Sequence, residues 1–107
     1  MKVFLDECAD WRLAREIFVH EVATARDMQW TGLKNGELLL RASRQFEVFV
    51  TVDRNLAFQQ DLATYSIAVV VLRARTNRLA DVRRLVPQLL RLLSGPVEPR
   101  LFEIGPA

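Results

Sequence analysis

Cysteine, histidine and long apolar runs are all scarce in this chain, and each scarcity closes off a class of function. A single cysteine, Cys8, excludes an intramolecular disulfide. With no second cysteine or nearby histidine to activate it, Cys8 reads as a small buried residue. The one histidine, His20, precedes a weak strand in a surface turn, so histidine-based acid–base catalysis is not expected. No run reaches the ~18 apolar residues that a membrane helix needs, and the longest, such as Ile67–Leu72, are short and β-branched. The first residues lack the apolar stretch and small-residue cleavage site of a signal peptide. A reducing, cytoplasmic location is therefore expected. Repeats, linkers and low-complexity stretches are missing too.

What is present is a chain of 107 residues, 50 % hydrophobic and 26 % charged. That is one domain, spanning 1–107, with enough apolar material for a core. A domain of this size buries roughly 65 % of its unfolded surface, so stability is modest and a partner or a homodimer contact would help. The net charge of +2 is unevenly spread. Residues 1–72 set eight bases against ten acids, whereas residues 73–107 set seven arginines against Asp81, Glu98 and Glu103. An acidic site beside a basic flank suits a polyanion handled through a metal, although arginines also commonly decorate a solvated helix face.

Along the chain, Val3–Leu5 reads as a buried strand. Asp10 can cap the next segment, where Trp11, Ala14, Ile17 and Phe18 recur at helical spacing. His20–Thr24 is a weaker strand, and residues 25–34 look irregular, with Gly32 as punctuation. Asn35 reads as the N-cap of a helix that places Leu38, Leu39, Ala42 and Phe46 on one face. Val48–Val52 is a strongly apolar strand ending in Asp53-Arg54-Asn55, and a short helical turn follows through Gln60. Ile67–Leu72 is apolar at every position. Asn77 can cap a final long helix over 78–93, in which Pro87 forces a kink or a restart. Arg100–Ile104 reads as a last edge strand. Strands alternating with helices, and apolar runs in place of strict alternation, predict a mainly parallel sheet of four to five strands with helices on both faces.

In open parallel sheets, ligands bind beyond the carboxyl ends of the strands, near the topological switch point. Asp6 and Glu7 follow the first strand, Asp53 follows the third, and Glu37 opens a helix that can face the same end. Carboxylates gathered without basic partners repel one another, and a bound Mg²⁺ or Mn²⁺ is one remedy. Each acid also has a plainer use: Asp6 as a cap, Asp53 as the start of an Asx turn, Glu37 as an acid favoured by the helix dipole. Asn35 reads first as a cap. Arg54 and Asn55 suit either a turn or a phosphate contact. Arg73 ends the fourth strand, where it can point into the acidic cluster, hold a phosphate, or form a simple ion pair. Trp11 and Trp30 read as packing anchors ahead of base-stacking platforms.

Taken together, Phe4-Leu5-Asp6-Glu7, Leu38-Leu39 with Ala42, and Val50-Thr51-Val52-Asp53-Arg54-Asn55 resemble the PIN-like proteins of the DUF5615 family. The stretch Gly32-Leu33-Lys34-Asn35-Gly36-Glu37-Leu38-Leu39 is similar to one branch of it, and the likeness runs from Met1 to about Leu93. The resemblance implies a PIN-like three-layer α/β sandwich and a predicted ribonuclease toxin restrained by an antitoxin. It further implies a Mg²⁺ or Mn²⁺ site and hydrolysis of RNA phosphodiesters. By position, Asp6 and Asp53 match the acids that PIN domains use for metal, and Glu37 matches the acid on a middle helix. Arg73-Ala74-Arg75 stands where a fourth acid would be sought.

Three functions compete. The first is a metal-dependent ribonuclease toxin, with catalytic Asp6, Glu37 and Asp53, metal ligands Asp6, Glu7, Glu37 and Asp53, and Asn35, Arg54, Asn55 and Arg73 on the substrate. The second is a phospho-acceptor domain modified on Asp53, weakened by the lack of a lysine at the end of the last strand. The third is a catalytically inactive PIN-like module that binds a protein or RNA partner.

Overall fold

Parallel pairing unites all the apolar runs in one sheet. The computed structural model describes residues 1–17 and 19–106. The strands are β1 (Lys2–Leu5), β2 (Glu21–Thr24), β3 (Val48–Thr51), β4 (Ala68–Leu72) and β5 (Leu101–Ile104). They lie in the order β2-β1-β3-β4-β5, and every neighbouring pair is parallel. The architecture is the expected α/β one, a sheet with helices on both faces, and the sheet has five strands.

Strand periodicity sorts side chains between two layers. Val3, Leu5, Val48, Val50, Ala68, Val70 and Leu72 face one side, where they meet Leu13 and Ile17 of the 3₁₀ segment Trp11–Ile17 together with Val82, Leu85, Leu89 and Leu93. Phe4, Phe49, Val69 and Val71 face the other side, against Trp30, Leu38, Leu39, Ala42 and Leu56. Phe4 is the hub of this second layer, with ring centroids 5.5 Å from Trp30, 5.4 Å from Phe46 and 5.3 Å from Phe49. Such pairs contribute about 0.5–1.5 kcal/mol each beyond their area burial. Trp30 is thus the packing anchor expected of it. Phe18, expected on the same face as Trp11 and Ile17, lies outside the described residues.

The connecting segments correct several expectations. Residues 25–34 are not wholly irregular: α1 (Ala25–Met28) is nucleated by a capping box in which Thr24 and Asp27 satisfy each other's backbone N–H groups. The long helix α2 (Asn35–Gln45) starts at its supposed cap, one residue earlier than expected. Lys34 is its N-cap and gives no side-chain bond, while Asn35 is already helical and donates to Gln59. After β3 come α3 (Leu56–Gln59) and a 3₁₀ turn at Leu62–Thr64. The final helix is broken into α4 (Leu79–Val82), a 3₁₀ turn Arg83–Leu85, and α5 (Val86–Leu93). Pro87 sits in the first turn of α5, where its missing N–H costs nothing, so the chain restarts there. Arg78, not Asn77, caps α4; the nearby Thr76 hydroxyl accepts from the Arg78 N–H and donates to Asp81.

The connections bring two strand ends together at one end of the sheet. From β1 the chain steps outward to β2, then crosses back past β1 to β3 on the opposite face. The carboxyl ends of β1 and β3 therefore flank the switch point of the sheet, the crevice where open α/β folds place ligands. Arriving at β5, α4 and α5 cover the face opposite α2 and α3, although all three connections advance in the same direction. The last crossover thus has the opposite hand to the others, a minority arrangement.

Candidate functional site at the sheet switch point

The register decides which residues meet. Phe4 pairs with Phe49 and Leu5 with Val50, and the Asp6 N–H extends this ladder by donating to the Val50 carbonyl at 2.9 Å. One further step brings Asp6 beside Thr51, on the side of the sheet that carries Phe4 and Phe49. The Thr51 hydroxyl donates to Asp6 Oδ2 at 2.8 Å and accepts from the Asp53 N–H at 3.0 Å. Asp6, 5 % exposed, and Thr51, fully buried, are the two buried polar or charged residues among those described. A buried carboxylate costs free energy unless it is hydrogen-bonded, and here every such atom has a partner.

Cys8 completes the cluster and departs from expectation. The residue is solvent-exposed, but its Sγ turns inward, donating to Asp6 Oδ2 at 3.2 Å and lying 3.2 Å from Thr51 Oγ1. Burial pushes the Asp6 carboxyl above its ordinary value, and the bonds from Thr51 and Cys8 oppose that shift without cancelling it. Burial, then the neighbouring Asp6 charge, push the Cys8 thiol up to about 11. It is therefore protonated at neutral pH and no ready nucleophile.

The other expected residues are dispersed. Asp53 is half-buried, and its Oδ1 accepts from the Asn55 N–H at 2.9 Å, the Asx turn its position allows. Glu7 accepts from the Gly32 N–H at 3.2 Å; Gly32 has φ +82°, a conformation that suits glycine. Glu37 stands at the same end of the sheet, but its carboxylate is held by Arg41 at 2.8 Å, one turn along α2. Arg54 donates to the Ala74 carbonyl and ties the loop after β3 to the loop after β4. Asn55 is the exposed N-cap of α3. Arg73 pairs with Glu103 on β5 at 3.1 Å, so it takes the simple ion-pair role.

Among the described residues, no group of three or more His, Cys, Asp or Glu side chains is arranged to hold a metal ion. The quartet Asp6, Glu7, Glu37 and Asp53 is not assembled. Asp6 and the turn bearing Asp53 do converge, through Thr51, and they offer hard oxygen donors. Mg²⁺ can take as few as one or two protein carboxylates and keep its waters, but no all-protein cage is formed among the described residues. Compared with family models, curated proteins and solved structures, the chain has no significant match.

In the sequence Thr51 stands out only as part of the Thr51-Val52-Asp53 motif and not as a site residue, and Cys8 reads as inert. Thr51 was open to discovery, because residues two apart on a strand share a face and Thr51 follows Phe49. Beside the cluster lies a cleft of about 710 Å³ lined by Asp6, Glu7, Cys8, Asp10, Arg12 and Asn77 among others. On its lining Arg12 grips Asp10 at 2.7 Å and lowers the Asp10 carboxyl to about 2.

Proposed function

We propose that the chain is a PIN-like domain that hydrolyses RNA phosphodiesters with a divalent metal, as the toxin of a type II toxin–antitoxin pair. The observation that carries this reading is the 2.8 Å bond from Thr51 to Asp6, which ties the end of β1 to the Thr51-Val52-Asp53 turn at the switch point. Asp6 and Asp53 are the carboxylates that would hold Mg²⁺ or Mn²⁺. When bound, such an ion supplies a polarised phosphate and an activated water. Thr51 orients Asp6, and Arg54 fixes the loop that presents Asp53. The cleft beside them gives an RNA strand a way in. An antitoxin would restrain the activity by covering this end of the sheet.

A second reading, an inactive PIN-like module that binds RNA or protein, is favoured by the engagement of Glu7 with Gly32 and of Glu37 with Arg41. The two separate in one assay, RNA cleavage with Mn²⁺ or Mg²⁺. Cleavage that is abolished both by EDTA and by Asp53→Asn supports the nuclease. RNA bound without turnover, and no metal bound by calorimetry, overturns it and leaves the binding module.

A further inference from the structure

On the β2 side of the sheet, at the end away from the Asp6 cluster, the aromatic layer is left open. Register sets Ala23, Phe4, Phe49, Val69 and Leu101 in one row across the five strands. Larger side chains fill that row except at its β2 end, where Ala23 stands. Over β2 this face is covered by the four-residue α1, whereas the eleven-residue α2 packs against β3. A cavity of about 360 Å³ remains, lined by Lys2, Glu21, Ala23, Met28, Gln45 and Phe46 among others. Its size falls within the roughly 300–1,000 Å³ of small-molecule sites.

The cavity is apolar on one side and charged on the other. Met28 and Phe46 are partly buried against the aromatic cluster, and the Phe46 ring centroid is 5.4 Å from that of Phe4. Lys2 and Glu21 are register partners, so their side chains leave the sheet together on this face. They form no ion pair with each other, and neither has another charged partner among the described residues. Glu47, just before β3, is turned to the Lys2 backbone N–H at 3.3 Å. Helix α2 ends at Gln45, so the negative end of its dipole borders the cavity and favours a cation there.

One positive and one negative group thus stand at neighbouring positions, unspent on each other, beside an apolar wall. The complement is a molecule that is neutral overall and carries both charges next to an apolar side chain. We infer that this cavity binds a free α-amino acid with a large apolar side chain, phenylalanine or methionine. Its carboxylate lies on Lys2, its ammonium on Glu21, and its side chain between Met28 and Phe46. Ring–ring and sulfur–aromatic contacts favour these two side chains over smaller ones. A ligand with net charge fits less well, because the lining charges cancel. The inference is independent of the nuclease reading, since no lining residue belongs to the Asp6 cluster.

The test is a titration of the full, isotopically labelled chain with phenylalanine, read from amide shifts in NMR. Saturable shifts are expected at Glu21, Ala23, Met28, Gln45 and Phe46. Phenylpropionate, which lacks the ammonium, and phenethylamine, which lacks the carboxylate, are each expected to bind about tenfold more weakly, the share of one hydrogen bond to a charged group. Glu21→Gln should weaken phenylalanine by a similar factor without weakening phenylpropionate, a pattern that a misfolded variant cannot give. Ala23→Leu, which fills the cavity, should abolish binding while its amide spectrum stays that of a folded chain. No saturable binding of phenylalanine or methionine at millimolar concentrations overturns the inference. So does equal binding of phenylalanine and both single-charge analogues, which would make the cavity a plain apolar groove. Ligand-free, concentration-dependent shifts at the cavity that Phe58→Ala removes would seat there the Phe58 of a second copy, 88 % exposed in this one, and also overturn it.

Discussion

The two faces of the sheet are equally dry but differently built. The buried residues of one are all aliphatic, with Phe102 packed at the margin, and its rows stay apolar past the strand ends into Val52 and Ala74. The other carries the interlocked rings of Phe4, Phe49, Phe46 and Trp30, and its two central rows turn polar one step later, at Asp6 and Thr51. The polar pair is thus a continuation of the aromatic row. Aromatic packing braces one side of the sheet, and the Asp6–Thr51 pair stands at the end of that brace. The aliphatic face serves as the floor on which the 3₁₀ segment and the final helices rest.

The sharpest way to break this contrast is to empty each face in turn. Phe4→Ala should cost about 3–5 kcal/mol, toward the upper end because three ring contacts are lost together. Val50→Ala, on the aliphatic face of the adjacent strand, should cost about 2 kcal/mol for two methylene equivalents and a small cavity. Urea unfolding of the two variants measures the difference, and equal costs would erase the distinction.

A second test concerns the polar end of the aromatic row. Because burial raises Asp6, the native state holds its proton more tightly than the unfolded chain does. The stability from Asp6 is therefore fully present below its ordinary value of 3.8 and is lost as pH rises through the higher native value. Asp6→Asn should accordingly be more stable than the parent at pH ~7 in EDTA, with the gain closing in acid. Asp10 runs the other way: with its native value at about 2, its contribution is present above 3.8 and lost as pH falls toward 2. It is common to both chains and cancels in the comparison. Thermal melts across pH check this, and a constant gap between the two proteins would refute the assignment.

The smallest effect is expected at Glu37, which lies on neither row. Its ion pair with Arg41 is half-exposed on both sides, so Glu37→Gln should change stability by no more than about 0.5 kcal/mol. Its effect on cleavage is more telling. A nuclease that recruits Glu37 must first release it from Arg41 and would lose turnover in this variant, whereas the binding module would lose nothing.

The strands were legible because both sheet faces are buried, which makes continuous runs such as Ala68–Leu72 stand out. Their ends were read to within a residue. Helix starts were harder. Asn35 and Asn77 look like caps, yet the backbone at Lys34 and Arg78 takes that role; a favoured residue type one position away does not move a boundary set by packing. Helix α1 was overlooked although Thr24-x-x-Asp27 is a capping pattern, because four residues give periodicity no room to show. The convergence of Asp6 with the turn bearing Asp53 could be anticipated because both follow strands that pair side by side. The destinations of Glu7, Glu37 and Arg73 could not be read, since each is decided by a partner close in space and unspecified by spacing alone. Trp11, read as a packing anchor, is 56 % exposed, because an isolated large apolar residue at helical spacing packs inward only where a partner layer lies over it.

The strand order has a consequence for synthesis and truncation. After β3, the sheet grows by laying each new strand on the last, so until β5 arrives β4 is an open edge of Ala68-Val69-Val70-Val71-Leu72 with one row of backbone groups unpaired. A bare, flat, aliphatic edge recruits strands from other molecules. β5 closes it with a ribbon whose Glu103 reaches back to Arg73 and whose approach carries Arg100 over Phe102. β5, only partly buried itself, is therefore a guard against self-templating, and a chain cut before Leu101 should precipitate, not merely loosen.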